Sequence, residues 1–351
     1  MTTTPTLDEF LGKLVGDLGA TCSAALVGIG DRLGLYKTLA GAGPQTPAEL
    51  ARHSGTDERY VREWLCAQAA SGYVDYDPGA GTFSLNEVQR LAFADESSPA
   101  HFLGGFQIAR SMFKDLDCIT EAFRSGGGVA WHEHDVDLFC GTERFFRAGY
   151  NANLVASWIP ALDGVEAKLQ AGARVADVGC GHGASTIIMA QAYPRSTFVG
   201  FDYHQPSIVS ARQHAEEAGV ADHVSFETVA AKRFSGSDYD LVCIFDALHD
   251  MGDPVGAARH VRESLRPDGT WLVVEPFAGD RLEQNLNPVG RVFYSASTMI
   301  CTPASRSQEV GLALGAQAGP KRLEEVCRQA GFTHFRVATQ TPFNVVLEVR
   351  P

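Results

Sequence analysis

Two short stretches of this 351-residue chain carry residue types that can bind or react, and a third invites the question. The first is Asp177-Val178-Gly179-Cys180-Gly181-His182-Gly183. Glycines at alternate positions permit unusual backbone angles and let a ligand lie against the main chain. Asp202 follows at about the 20-residue separation that brings a carboxylate to a ribose diol. The acid in the loop narrows the choice of ribose ligand. Asp177 would repel a diphosphate, which prefers a helix N-terminus free of acid, but could meet an ammonium group. S-adenosylmethionine, with an amino acid head and no phosphate, therefore fits better than a dinucleotide. The alternative is a strand–helix turn with no ligand.

The second stretch is Leu248-His249-Asp250. An imidazole titrates near neutrality and suits proton abstraction. His249 can therefore be a general base, a structural or cofactor-side hydrogen-bonding group, or a metal ligand. The third stretch, His132-Glu133-His134-Asp135, follows Trp131. It reads either as metal ligands shared with His249 or as a solvated loop. Adjacent ligand types without helical spacing favour the loop, so no metal is expected.

These residues need a scaffold, and from Ala173 onward the pattern alternates strand and helix. Strands are expected at residues 174–178, 197–201, 224–229, 240–245 and 270–274, with helices at 183–193 and 206–219 between them. That alternation calls for a parallel sheet covered on both faces. A helix at 321–330 and strands at 333–338 and 344–349 then close the sheet with an antiparallel pair. His249 follows the fourth strand, where loops border the ligand crevice of such sheets.

The first 95 residues read differently. Thr6-Leu7-Asp8-Glu9 and Thr46-Pro47-Ala48-Glu49 have capping-box spacing, and Gly55 and Gly72 end helices. Leu7, Phe10, Leu11, Leu14, Val15 and Leu18 form an apolar stripe that either joins a partner subunit or packs on its own domain. Val61, Trp64, Leu65 and Ala69 form a second stripe. Strand-like pieces at 73–76 and 82–85 flank a turn at 77–81, completing a winged-helix arrangement. Seven basic residues stand against twelve acidic ones in this region, and the candidate recognition helix opens with Asp57-Glu58. Nucleic acid binding is not expected. Residues 96–160 read as a helical bridge, with one long helix from Ser98-Pro99 toward Arg124 and another at 141–158.

The whole chain carries a formal net charge of −13, which disfavours anionic membranes as well. No apolar run approaches the roughly 20 residues of a membrane span, and Met1-Thr2-Thr3-Thr4-Pro5 is unlike a signal peptide. None of the eight cysteines forms a Cys-x-x-Cys pair. Reduced, mostly buried thiols and a cytoplasmic location are expected.

The stretch Val175-Ala176-Asp177-Val178-Gly179-Cys180-Gly181-His182-Gly183 resembles motif I of class I methyltransferases. Asp202 is similar to their ribose-binding acid, and Leu265-Arg266-Pro267-Asp268-Gly269-Thr270 resembles their turn into the fifth strand. Residues 20–95 resemble the winged-helix domain of small-molecule O-methyltransferases, closest to actinobacterial and mycobacterial members. The resemblance implies a Rossmann-like seven-stranded α/β sheet with its last strand antiparallel, and domains at 1–95, 96–160 and 161–351. It also implies a homodimer and conversion of S-adenosylmethionine to S-adenosylhomocysteine. By carry-over, Gly179, Cys180, Gly181 and Gly183 line the cofactor, Asp177 is near its amino group, and Tyr203 packs on the adenine. Phe245 and Asp246 border the sulfonium, while Tyr150 and Asn153 add cofactor contacts. The adenine-edge acid is missing, since Ala230-Ala231-Lys232 stands there. His249 becomes the base of an O-methylation, with Met251 replacing the family's aromatic residue. Phe146, Trp131, Arg291 and Tyr294 are the expected acceptor contacts, for a small and mostly apolar molecule. Metal-assisted C-methylation of a 2-oxo acid, a non-methylating descendant that keeps the cofactor, and a ligand-sensing regulator are the competing readings.

Overall fold

Both capping boxes form. Thr6 accepts from the backbone N–H of Glu9, and Glu9 reaches back to the N–H of Thr6 at 2.7 Å, opening the helix Leu7–Arg32. Thr46 and Glu49 do the same for Pro47–Ser54, which Gly55 ends in a left-handed conformation. The computed structural model describes residues 4–351; Met1, Thr2 and Thr3, which open the Met1–Pro5 stretch and the expected first domain, lie outside it. Two compact units divide the chain.

The first unit takes residues up to Lys114 together with Val136–Gly149. After Pro47–Ser54 comes the helix Glu58–Ala70, capped by Asp57, then an antiparallel wing of β1 (Asp75–Asp77) and β2 (Thr82–Ser84). Val27, Tyr36, Leu50, Trp64, Leu65 and Phe83 fill its core. The N-terminal stripe does not join that core: Leu7, Phe10, Leu11, Leu14, Val15 and Leu18 are 46–71% exposed. Contrary to the expectation from apolar runs, Leu7–Arg32 is long and apolar enough to cross a membrane by length and composition, although it carries a Lys13–Asp17 ion pair.

The second unit comprises Asp115–Asp135 and Tyr150–Pro351. Its strands are β3 (Arg174–Val178), β4 (Thr197–Asp202), β5 (Val224–Thr228), β6 (Tyr239–Phe245), β7 (Leu265–Pro276), β8 (His334–Gln340) and β9 (Asn344–Arg350). They form a seven-stranded sheet in the order β5-β4-β3-β6-β7-β9-β8. β3 to β7 are parallel, and β9 runs antiparallel between β7 and β8. Val178, Phe201, Val242, Ile244, Trp271 and Leu347 build one shared core against the covering helices. Chain order reverses between β3 and β6, which makes their carboxyl ends the switch point where ligands enter.

The expected bridge departs from this plan. The long helix toward Arg124 is two helices, Leu103–Lys114 and Leu116–Ser125, interrupted at Asp115. Asp115 leaves helical geometry and its carboxylate holds His134 Nδ1 at 2.7 Å, a long-range contact no local pattern announces. The two helices fall in different units, as do the two ends of Val136–Asn153. A π-helical turn, Leu154–Trp158, follows that helix.

Candidate active site

At the end of β3 the chain turns through Gly179, Gly181 and Gly183, with φ of +79°, +53° and +81°. A Cβ on Gly183 would lie 2.8 Å from the Phe226 ring, whereas one on Gly181 would meet nothing within 4 Å. Gly183 is therefore demanded by packing and backbone, while Gly181 keeps one side of the loop open. Cys180 turns inward: its thiol faces Gly200, and its N–H and carbonyl are bonded to Phe201 O and Gly183 N. It offers a ligand only its place in the loop.

Five carboxyl groups gather around this loop and the ends of the neighbouring strands. Asp177 is 1% exposed; its Oδ2 accepts from Ser185 and Thr186 at 2.7 and 2.6 Å, and its Oδ1 has no partner. Burial lifts its pKa from 3.8 to about 6 despite those hydroxyls. Asp202 accepts from the N–H of Gly181 at 3.0 Å and of His204 at 2.8 Å, so this acid is tied to the loop. Burial raises its pKa too, over the opposing pull of those N–H groups. Tyr203, next in sequence, keeps nearly half its surface exposed.

Asp246 follows β6 with φ +49°, a left-handed backbone seldom used by residues with a side chain. Tyr150 OH donates to its Oδ2 at 3.1 Å and Asn344 Nδ2 to its Oδ1 at 2.9 Å. Burial, reinforced by the charge of Glu275, holds its pKa well above the usual carboxylate range. The Tyr150 ring lies 5.4 Å from that of Phe245, and Asn153 is partly buried one turn further on.

His249 is buried on the short helical turn Leu248–Asp250. Its Nδ1 is 2.5 Å from Oε2 of Glu275, the acid near the end of β7, whose other oxygen accepts from Leu248 N–H at 3.0 Å. Its Nε2 is 3.2 Å from Asp250 Oδ1, and Trp131 Nε1 donates to Asp250 Oδ2 at 3.2 Å. Burial alone would depress the imidazole pKa, but Glu275 and Asp250 outweigh it and hold it well above 6.5. Cys301 Sγ completes the group. His132 and His134 do not belong to it; His134 is bonded to Asp115 instead.

Trp131 is therefore the acceptor candidate that meets the histidine cluster. Arg291 and Tyr294 lie on the helix Pro288–Ala296, the first exposed and the second half-buried. Phe146 belongs to the first unit, edge-on to Phe145 at 5.3 Å. Glu275, Cys301 and Asn344 escaped sequence reasoning. An acid directly after the apolar run Leu272-Val273-Val274 was the available signal for Glu275.

Residues 169–330 match the family described as a methyltransferase domain, and residues 21–93 the Rv2258c-like winged HTH domain. A ubiquinone biosynthesis O-methyltransferase of Paracidovorax citrulli is 35% identical over 137 residues, covering 37% of this chain and 52% of that protein. The 27-O-demethylrifamycin SV methyltransferase of Amycolatopsis mediterranei is 33% identical over 103 residues, covering 29% and 38%. The chain thus spans about half or less of the length of these curated relatives. Human N-acetylserotonin methyltransferase, solved in complex with S-adenosylmethionine, has a TM-score of 0.73 at 16% identity, covering 100% of this chain and 99% of that one. An O-methyltransferase family protein of Burkholderia thailandensis has a TM-score of 0.71 at 17% identity, covering 99% of both chains. At such identities the likeness is one of fold.

Asp177 makes the first prediction. It ionises near 3.8 when unfolded and near about 6 when folded, so between those values the native protein holds the extra proton. Its favourable contribution is full below the lower value and is lost as pH rises through the upper one. Asp177→Asn should therefore flatten the pH dependence of the urea midpoint across that window. Parallel curves for variant and parent would contradict it. By the matches over residues 21–93 and 169–330, the chain joins an Rv2258c-like winged HTH domain to a domain of the methyltransferase family.

Proposed function

We propose that this protein transfers a methyl group from S-adenosylmethionine to a hydroxyl of a small, mostly apolar molecule, leaving S-adenosylhomocysteine. The observation that carries the reading is the set of buried carboxyls at the switch point: Asp177, Asp202, Asp246 and Asp250 all have pKa values raised by burial. Such a crevice disfavours a diphosphate and favours a cation. S-adenosylmethionine supplies, when bound, a methyl group on positively charged sulfur. The residues fit it: the unpartnered Asp177 Oδ1 can accept from an ammonium, and Asp202 has lone pairs left for a diol. Gly181 leaves the main chain approachable, Gly179 and Gly183 shape the turn on either side of it, and Tyr203 offers an open ring. Tyr150, Asn153, Phe245 and Asp246 would border the reacting end.

His249 is assigned as the base that takes the acceptor proton through Nε2, with Glu275 holding Nδ1 and stabilising the imidazolium that results. Trp131, Arg291 and Tyr294 are proposed to shape the acceptor pocket. The exposed stripe on Leu7–Arg32 is proposed to pair with a second copy of the chain, because a monomer would leave it in water. The winged unit is not assigned to DNA: Arg59 and Arg62 on its candidate recognition helix are already paired with Glu63 and Glu58. Cys22, Cys66 and Cys118 are exposed free thiols, which suits the reducing cytoplasm.

Calorimetry should detect S-adenosylmethionine and S-adenosylhomocysteine but not NAD, with Asp202→Ala weakening binding by ~1–3 kcal/mol. Heat with NAD alone would refute the cofactor. His249→Ala should lower turnover about 10²–10⁴-fold while leaving cofactor affinity nearly intact. Because Glu275 holds the imidazole pKa up, parent activity should rise with pH to beyond the ordinary histidine range. Near-full activity of the variant would remove the base role. Light scattering should give a dimer mass at micromolar concentration, and Leu14→Asp with Leu18→Asp should lower it; a monomeric parent would end that proposal.

A further inference from the structure

His249, Asp250 and Cys301 offer one nitrogen, one oxygen and one sulfur, all within 4.8 Å of one another and all buried. His249 Nε2 and Asp250 Oδ1 are 3.2 Å apart, yet Oδ1 has no aligned hydrogen-bond donor. The two atoms are an ion pair while Nε2 holds its proton, and once that proton leaves they are spaced like neighbouring ligands of one ion. At zinc bond lengths, tetrahedral neighbours lie about 3.3–3.8 Å apart, so the nitrogen and oxygen, 3.2 Å apart, need almost no movement, and the sulfur, within 4.8 Å of both, has only a short way to move. Cys301 closes a second π-helical turn, Ser297–Cys301, an irregularity that re-aims a helical side chain.

The surrounding bonds are those a metal site requires. Nδ1 of His249 is held by the Glu275 carboxylate at 2.5 Å, which leaves Nε2 as the ligating nitrogen. The second oxygen of Asp250 is held by the Trp131 indole at 3.2 Å. Cys301 is the soft donor that selects zinc-type ions over magnesium or calcium. Without a metal its thiol stays protonated, with burial pushing its pKa up to about 12.

We propose that His249 Nε2, Asp250 Oδ1 and Cys301 Sγ bind one zinc-type divalent cation, leaving one coordination position for water or an acceptor oxygen. The thiol proton, and the Nε2 proton where present, go to solvent as the ion enters. The cation and the base role assigned above use the same lone pair. The zinc-loaded protein therefore cannot take a proton at Nε2, and zinc acts on the proposed methyl transfer as a switch to the inactive form.

The test uses cobalt(II) as a spectroscopic substitute for zinc in the full-length protein. One equivalent should produce the near-ultraviolet charge-transfer band of a cobalt–thiolate bond with intense visible bands of a four-coordinate ion, both displaced by zinc. Cys301→Ser should remove the charge-transfer band. Glu275→Gln should weaken binding about 10–100-fold, as loss of a ligand-orienting carboxylate does. Absence of stoichiometric binding to the parent protein, or a thiolate band that survives in Cys301→Ser, overturns the site. Should a variant fail to fold, the parent's stoichiometry and thiolate band still decide. If zinc loading raises turnover in a protein that gave the cobalt–thiolate band, the cation site stands and the base assignment to His249 falls.

Discussion

Burying negative charge at one edge of a sheet is the constraint on which the rest of this protein depends. Taking a carboxylate out of water is costly, and the raised pKa values of Asp177, Asp202, Asp246 and Asp250 record that cost in the ligand-free chain. The fold meets it with local donors: Ser185 and Thr186 for Asp177, two backbone N–H groups for Asp202, Tyr150 and Asn344 for Asp246, Trp131 for Asp250. These donors come from several elements, so the parallel sheet, the helices behind it and the 131–133 turn are all needed to assemble one crevice. A cationic occupant would offset part of the cost, and a product that has lost its charge would offset less. On the proposed reaction, the same electrostatics that favours the reactant lets the product go.

The backbone at Asp246 illustrates how rigidity is used. A left-handed residue costs of order 1–3 kcal/mol and persists only where its surroundings over-determine it. Here the β6–β7 register carries on through Asp246 N–H to Val274 O at 2.7 Å, while Tyr150 and Asn344 fix the side chain. Tyr150 and Asn344 come from opposite ends of the second unit's sequence, which makes the position of this carboxyl a property of the finished fold.

Much of this was legible in the sequence because local chemistry carried it. The glycine loop, the strand–helix alternation, the closing antiparallel pair and both capping boxes follow from short-range patterns that tertiary packing did not override. What stayed hidden depended on distant partners. The break at Asp115 needs His134, and Cys301 reaches its neighbours from a π-helical turn that defeats 3.6-residue counting. Glu275 was hidden for a different reason: a buried acid at a strand end is indistinguishable from a solvated one until its partner His249 is known. Phe146 and Tyr150 share a helix spacing that suggests one role, but the division into units falls between them.

The division of the chain has a consequence for inheritance. Asp115–Asp135 belongs with the second unit although it is flanked on both sides by stretches of the first. That excursion carries Trp131, the donor to Asp250, and is fastened by Val129 N–H to Pro303 O at 3.0 Å and by Arg306 to the carbonyl of Gly126 at 2.9 Å. A single cut before β3 would separate Trp131 from the carboxylate it serves. Recombination between relatives, natural or engineered, therefore cannot exchange the two units as consecutive blocks: a chimera joined there would pair one parent's indole with another parent's histidine cluster. The excursion and the helix carrying Cys301 must travel together, which ties the histidine cluster to a part of the chain that sequence order assigns elsewhere.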